Sequence, residues 1–303
     1  MEKQALRAVS RRAGLALLTV CALQLGMSFA AAALQGRLGL GGSAWFHLVA
    51  VLSGMTVLAG AVVGRELFKG RMPQAEVRKA GAGECAALMV AGAALCMAGN
   101  LVGALVEQMA GQAGIEFQGG PQPPQPQSLP GLLLMLLTAA VLPALAEEWL
   151  LRGVLLPALQ PFGDGFAVVC TAALFALLHQ NMEQAPMAFV SGLALGWAYV
   201  RSGRLAVPMA VHLWNNAAAL GLSLLPEAAV KLYGIILGML GMLSIFILYL
   251  RCPKDNKGGP VPPKAMYEMP AGRRASNFFF GSAAMVMALV YFVVIIALNT
   301  RVG

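Results

Sequence analysis

An all-α, polytopic bundle of transmembrane helices, with about eight or nine spans, is the fold class that this 303-residue sequence predicts. Three observations predict it. Hydrophobic residues make up 59% of the chain and charged residues only 11%, against about half and about a quarter in ordinary globular domains. The apolar residues fall in long uninterrupted runs, and the cations punctuate those runs. So few charges cannot cover a water-soluble surface, which excludes a soluble enzyme, a disordered chain, collagen or a coiled coil. The net charge of +8 is not gathered on one strip, so nucleic acid is not an expected partner. The five cysteines (Cys21, Cys85, Cys96, Cys170, Cys252) show no CxxC spacing, which argues against a zinc ribbon or a disulfide framework.

Crossing about 30 Å of hydrocarbon takes roughly 20 apolar residues. Nine candidate segments meet or approach that length: 14–34, 44–63, 85–106, 131–159, 166–181, 186–201, 205–224, 229–250 and 278–298. The first follows Lys3, Arg7, Arg11 and Arg12 and reads as an anchor, because its apolar run exceeds the core of a cleaved signal peptide. Residues 107–130 carry GGPQPPQPQ and read as an extended external loop. The fifth and sixth segments are short and are expected to insert as part of the bundle, joined to their neighbours by QPFGDG (160–165) and by the turn at 202–204. The 251–277 connector is basic and Pro-rich, suited to the surface of anionic lipid.

With the N-terminus in the cytoplasm, 18 of the 21 Lys and Arg residues fall inside, Arg152, Arg201 and Arg204 among them. Only Arg37, Lys231 and Arg301 fall outside, as the positive-inside rule asks. Three regions follow: N-terminal helices with the external loop (1–130), a central core (131–225), and C-terminal helices with the basic loop (226–303). No internal repeat is visible. A multi-pass protein of a bacterial cytoplasmic membrane is the expected setting, with the lipid bilayer as its first partner.

Ionisable side chains at bilayer depth are costly and mark functional positions. They concentrate between residues 147 and 216: Glu147, Glu148 and Arg152 on the fourth segment, His179 on the fifth, His212 and Asn216 on the seventh. A helical rise of 1.5 Å per residue from the 160–165 turn puts Glu147 and His179 about 23–25 Å away, at one depth. His212 and Asn216 are spaced i, i+4 and share a face. Glu148 and Arg152 have the same spacing, in the favourable order for an intrahelical ion pair. Asn215 reads as an interhelical hydrogen-bonder, His47 as an interfacial residue, and Pro143 and Pro208 as sources of kinks.

A buried carboxylate beside an imidazole can hold a water and take its proton. His212 and Asn216 can donate to an oxygen that becomes negative during attack on a carbonyl. That combination suits amide or ester hydrolysis by water, with Glu147, His179, His212 and Asn216 as catalytic residues and Glu148 and Arg152 in support. No GxSxG elbow is present. Zinc is the alternative, held by Glu147, His179 and His212 with one position open for water; the HExxH pattern is absent.

These residues stand in three short motifs. Glu147-Glu148-Trp149-Leu150-Leu151-Arg152 resembles the EExxxR motif of the CPBP family, the type II CAAX-protease and bacteriocin-processing group. Phe175-Ala176-Leu177-Leu178-His179 is similar to its FxxxH motif, and His212 to Asn216 to its HxxxN/D motif. All three occur in the family's order on successive apolar segments. The resemblance implies an intramembrane endopeptidase acting on a membrane-associated protein or peptide. It implies that Glu147 and His179 activate water and that His212 with Asn216 forms the oxyanion site. It also carries a metalloprotease label, beside which a metal-free, glutamate-driven mechanism is favoured here. The prenylated CAAX substrate of eukaryotic relatives is not carried over. Two other classes are weighed: a non-catalytic membrane scaffold or bacteriocin-immunity factor on the same fold, and a proton-coupled transporter, which the lack of inverted repeats disfavours.

Overall fold

The computed structural model describes residues 2–35, 37–71, 79–117, 123–251 and 279–302. Arg78, the five cations Lys254, Lys257, Lys264, Arg273 and Arg274 of the basic connector, and residues 118–122 of the Pro/Gln loop lie outside the described residues. A helix underlies each of the nine apolar segments: α1 (Glu2–Leu34), α2 (Gly42–Phe68), α3 (Ala82–Gln112), α4 (Leu129–Phe162), α5 (Asp164–Leu178), α6 (Ala185–Ser202), α7 (Ala206–Leu222), α8 (Glu227–Leu250) and α9 (Ala283–Leu298). Helices satisfy their own backbone polar groups, as hydrocarbon demands. Five of them (α1, α2, α3, α4 and α8) are long and apolar enough to cross a bilayer, while α5 and α9 are shorter apolar helices. At 15 residues, α5 reaches about 22 Å, less than the hydrocarbon thickness. The fifth segment is therefore short, as its sequence indicates.

Helix ends sort into two groups. The residue before α3 and the end of α6 meet where the Ala80 N–H donates to the Ser202 carbonyl at 2.8 Å, and Arg204 Nε donates to the Ala80 carbonyl at 3.0 Å. The starts of α1 and α9 meet where the Ser10 hydroxyl bonds the Phe279 carbonyl and lies 2.7 Å from Ser282 Oγ. At the other end, the residues after α3 and after α9 pair as a short antiparallel ladder, β1 (Ile115–Phe117) with β2 (Thr300–Val302). The starts of α1 and α9 coincide and the ends of α3 and α9 coincide, which is what strict alternation of direction requires. The ladder is a small departure from the all-helical expectation.

Close packing follows the small residues. A Cβ added at Gly192 on α6 would lie 2.9 Å from Ala172 Cα on α5, and one at Gly54 on α2 would lie 2.7 Å from the Leu142 side chain on α4. Small residues let helix backbones approach within lipid, where no hydrophobic force drives helices together.

One helix is irregular, and it is the one that matters. Ser128 caps α4 by accepting from the Gly131 N–H at 3.3 Å, a role that serine fills well. The helix then widens into π-turns at Leu137–Val141 and Trp149–Leu155 and tightens to 3₁₀ geometry at Gln160–Phe162. Each π-turn runs up to a proline, Pro143 or Pro157. Proline lacks the N–H that would close the i→i−4 bond, and a wider turn reroutes the carbonyls left over. Pro208 supplies no such break: it sits in the first turn of α7, where helices tolerate proline.

Candidate active site

Glu147 and Glu148 end the α-helical stretch Leu142–Glu148 of α4, and Arg152 lies in the π-turn that follows. Burial divides the two acids. The Glu148 side chain is 0% exposed and that of Glu147 is 20% exposed. Arg152, also 0% exposed, donates from Nη1 to Glu148 Oε1 at 2.7 Å and from Nη2 to the Gly192 carbonyl on α6 at 2.8 Å. The sequence places Arg152 among the cations at cytoplasmic helix ends; the structure corrects this, because its charge is enclosed by the bundle. A buried ion pair of this kind survives only with both partners present. Removing one leaves an uncompensated charge, at a cost of about 3–5 kcal/mol.

His212 on α7 completes the pair. Its Nδ1 lies 3.0 Å from Glu148 Oε1 and its Nε2 lies 3.8 Å from Glu147 Oε2. An ionised carboxylate can only accept, so the proton sits on Nδ1 and the ring is oriented by Glu148 with Nε2 turned to Glu147. His179, at the C-cap of α5, is fixed in the same way: its Nδ1 donates to the Phe175 carbonyl at 2.9 Å, which leaves Nε2 free to exchange a proton. Phe175 stands between these groups. Its ring centroid lies 4.9 Å from that of His179 and 5.5 Å from that of His212, with the Arg152 guanidinium carbon 5.1 Å away. An aromatic face both packs the imidazoles edge-on and attracts the cation.

The sequence reading pairs Glu147 with His179. Among the described residues no bond joins them, and the imidazole next to Glu147 is that of His212. Asn216, half-buried, makes no hydrogen bond among the described residues; it stands one turn beyond His212 on the same face of α7. Asn215 Oδ1 instead accepts from Asn100 Nδ2 of α3 at 3.5 Å. His47 is buried near the start of α2, and its Nδ1 lies 2.9 Å from the Thr138 hydroxyl in the first π-turn of α4.

The turn after His179 is braced from distant parts of the chain. Gln180 adopts a left-handed conformation with φ of 57°. Its Nε2 donates to Gln24 Oε1 of α1 at 2.6 Å, and its carbonyl accepts from Asn299 Nδ2 beyond α9 at 3.1 Å. Asn181 Nδ2 donates to the His179 carbonyl at 3.0 Å, and Asn181 Oδ1 accepts from the Gln184 N–H at 2.8 Å. Sequence reasoning missed Gly192, Gln24, Gln180 and Asn299. The only hint was the small-residue run of α6, where a helix carbonyl can be approached closely.

A cavity of about 300 Å³ lies between α2 and α4, with Glu147 in its wall. Zinc is a poor fit to these donors. Zinc takes its ligands at about 2 Å from one centre, and among the described residues no group of three His, Cys, Asp or Glu side chains is placed to hold a metal ion. His212 Nδ1 is held by Glu148 and His179 Nδ1 by a backbone carbonyl, so it is the placement of the groups, and not the state of the two rings, that argues against a metal.

Comparison with known proteins points the same way as the motifs. The bundle and its site define a helical membrane protein with acid and imidazole groups enclosed between its helices. Residues 129–218 match the family model described as type II CAAX prenyl endopeptidase, Rce1-like, the family that the motifs at 147–152, 175–179 and 212–216 resemble. A curated protein of Escherichia coli, described as an uncharacterized 24.3 kDa protein, is 33% identical over 102 residues. That match covers 32% of this chain and 46% of the relative, so the chain spans about half the length of the curated relative it matches. No solved structure matches.

Proposed function

We propose that the protein is an intramembrane endopeptidase of glutamate type that hydrolyses a peptide bond in a membrane-associated protein or peptide. The observation that carries this reading is the bracket made by His212, with Nδ1 on the buried Glu148 and Nε2 facing the accessible Glu147. A gap of 3.8 Å is too long for a direct hydrogen bond, and a water or substrate oxygen in contact with both groups can bridge it. In the proposed reaction, water attacks the peptide carbonyl carbon while Glu147 and His179 take its proton. The negative charge that develops on the carbonyl oxygen is met by the Asn216 amide, and by His212 when a second proton, on Nε2, makes that nitrogen a donor. When the C–N bond breaks, the proton returns to the leaving nitrogen, giving one new carboxyl group and one new amine.

Glu148 and Arg152 act behind these groups. They orient His212 and neutralise one another, so that the charge available at the cavity is that of Glu147. In the cell, the reading places the protein in a bacterial cytoplasmic membrane with its N-terminus in the cytoplasm, following the 17 cations that remain assigned to that side once Arg152 is set apart (18 less one).

Mass spectrometry of membrane peptides from cells carrying the wild type or Glu147→Ala tests this. Peptides cut only by the wild type are expected; identical peptide profiles would remove the enzymatic reading.

A further inference from the structure

The 300 Å³ cavity beside Glu147 has a composition that speaks to what it admits. Its α2 wall includes Ala50, Ser53 and Gly54, and its α4 wall includes Thr138, Ala146 and Glu147. Among the described residues, no lysine or arginine lines it. The nearest cation of the site, Arg152, is wholly buried and committed to Glu148 and to the Gly192 carbonyl. The Thr138 hydroxyl is likewise engaged, donating to the Leu134 carbonyl at 2.9 Å and meeting His47 Nδ1 at 2.9 Å. An anionic group brought into this space would find a carboxylate in the wall and no countercharge, and at bilayer depth an unpaired charge costs several kcal/mol. The volume is at the low end for ligand sites, and Phe46, Val57, Pro143 and Gln184 line it beside the small residues, leaving little room for a large side chain.

Resting on the endopeptidase reading, we infer that this cavity receives an uncharged, extended interior segment of a membrane peptide, built of small residues and entering between α2 and α4. A free C-terminal carboxylate or a phosphate is excluded from the vicinity of Glu147. Cleavage then falls at an internal bond, away from the chain's own anionic end. The segment's backbone has Ser53 Oγ and the Gln184 amide to bond with.

Binding can be read apart from chemistry. Ser53→Cys, in the full chain reconstituted in vesicles, is labelled with a maleimide, the protein's own thiols giving the background. The probes are a synthetic tripeptide of Ala, Ser and Leu blocked at both ends, and the same tripeptide with a free C-terminal carboxylate, short enough that its anionic end must enter with the rest. The blocked peptide is expected to slow labelling about tenfold, equivalent to about 1.4 kcal/mol of occupancy, and the free acid to leave it unchanged. Ala50→Phe, which fills the cavity, should abolish the protection while the protein stays folded. The same protection should appear in the Ser53→Cys, Glu147→Gln double variant, which binds without cutting. Protection without any Glu147-dependent cleavage of the blocked peptide would uphold the cavity's selectivity and sink the endopeptidase reading. Equal protection by both peptides, or by neither, overturns the inference whatever the cleavage shows.

Discussion

Glu147 and Glu148 are neighbours in the chain, yet the bundle gives them opposite surroundings. Glu148 is enclosed with Arg152 and His212, whereas Glu147 looks into a cavity. The two acids should therefore fail differently. Glu147→Gln is expected to lower cleavage by about 10²–10⁴-fold, the usual contribution of a general base, with the melting temperature in detergent unchanged. Full activity in Glu147→Gln together with lost activity in a folded Glu148→Gln would show that the buried acid is the base. Arg152→Met strands the Glu148 carboxylate and should destabilise the fold by about 3–5 kcal/mol, seen as a fall in thermal midpoint even where no substrate is present. Arg152→Lys should recover only part of this, since one ammonium cannot serve both Glu148 and the Gly192 carbonyl with the geometry of the guanidinium fork.

At the scale of elements, the turn that carries His179 is held in a conformation that few side chains adopt. A β-branched residue at φ 57° costs about 1–3 kcal/mol. Gln180→Val should thus lower stability by that amount and slow turnover by shifting His179. Gln180→Gly relieves the backbone but loses the bond to Gln24, and should stay close to wild type in melting temperature. Equal melting temperatures for the two variants would show that the turn is not strained. Much of this layout was legible in the sequence. Charged and imidazole residues inside otherwise apolar runs named Glu147, Glu148, Arg152, His179 and His212 without any coordinates. The Glu148–Arg152 ion pair followed from i, i+4 spacing alone. The approach of His212 to Glu147 was not legible. Rise per residue gives depth along a helix but not the rotation of one helix about its axis, and the π-turns of α4 alter that rotation. The bracing of Gln180 by Gln24 and Asn299 was hidden too, because it joins residues more than a hundred positions apart.

For the whole molecule, the pairing of helix ends divides the described chain into two faces, and in the proposed orientation the face of the α1 start meets the cytoplasm. Single cysteines at Lys69 and Arg37, both exposed, should react with a membrane-impermeant maleimide from opposite sides, Lys69→Cys only after the cytoplasmic side is opened. Labelling of both from one side would contradict the alternation. The second π-turn carries a consequence for how this chain can change length. A wide turn holds one residue more than the α-helical path it replaces, so it works as an offset between what lies before and after it. Deleting one residue within 149–155 would let the stretch relax to ordinary helix. That would keep the acids close to their present register with everything downstream, whereas a deletion from a regular α-helical turn swings the two sides about 100° apart. A chain so shortened should still insert in the membrane and still cleave; silence in a cleavage assay would show that the wide turn itself places the acids.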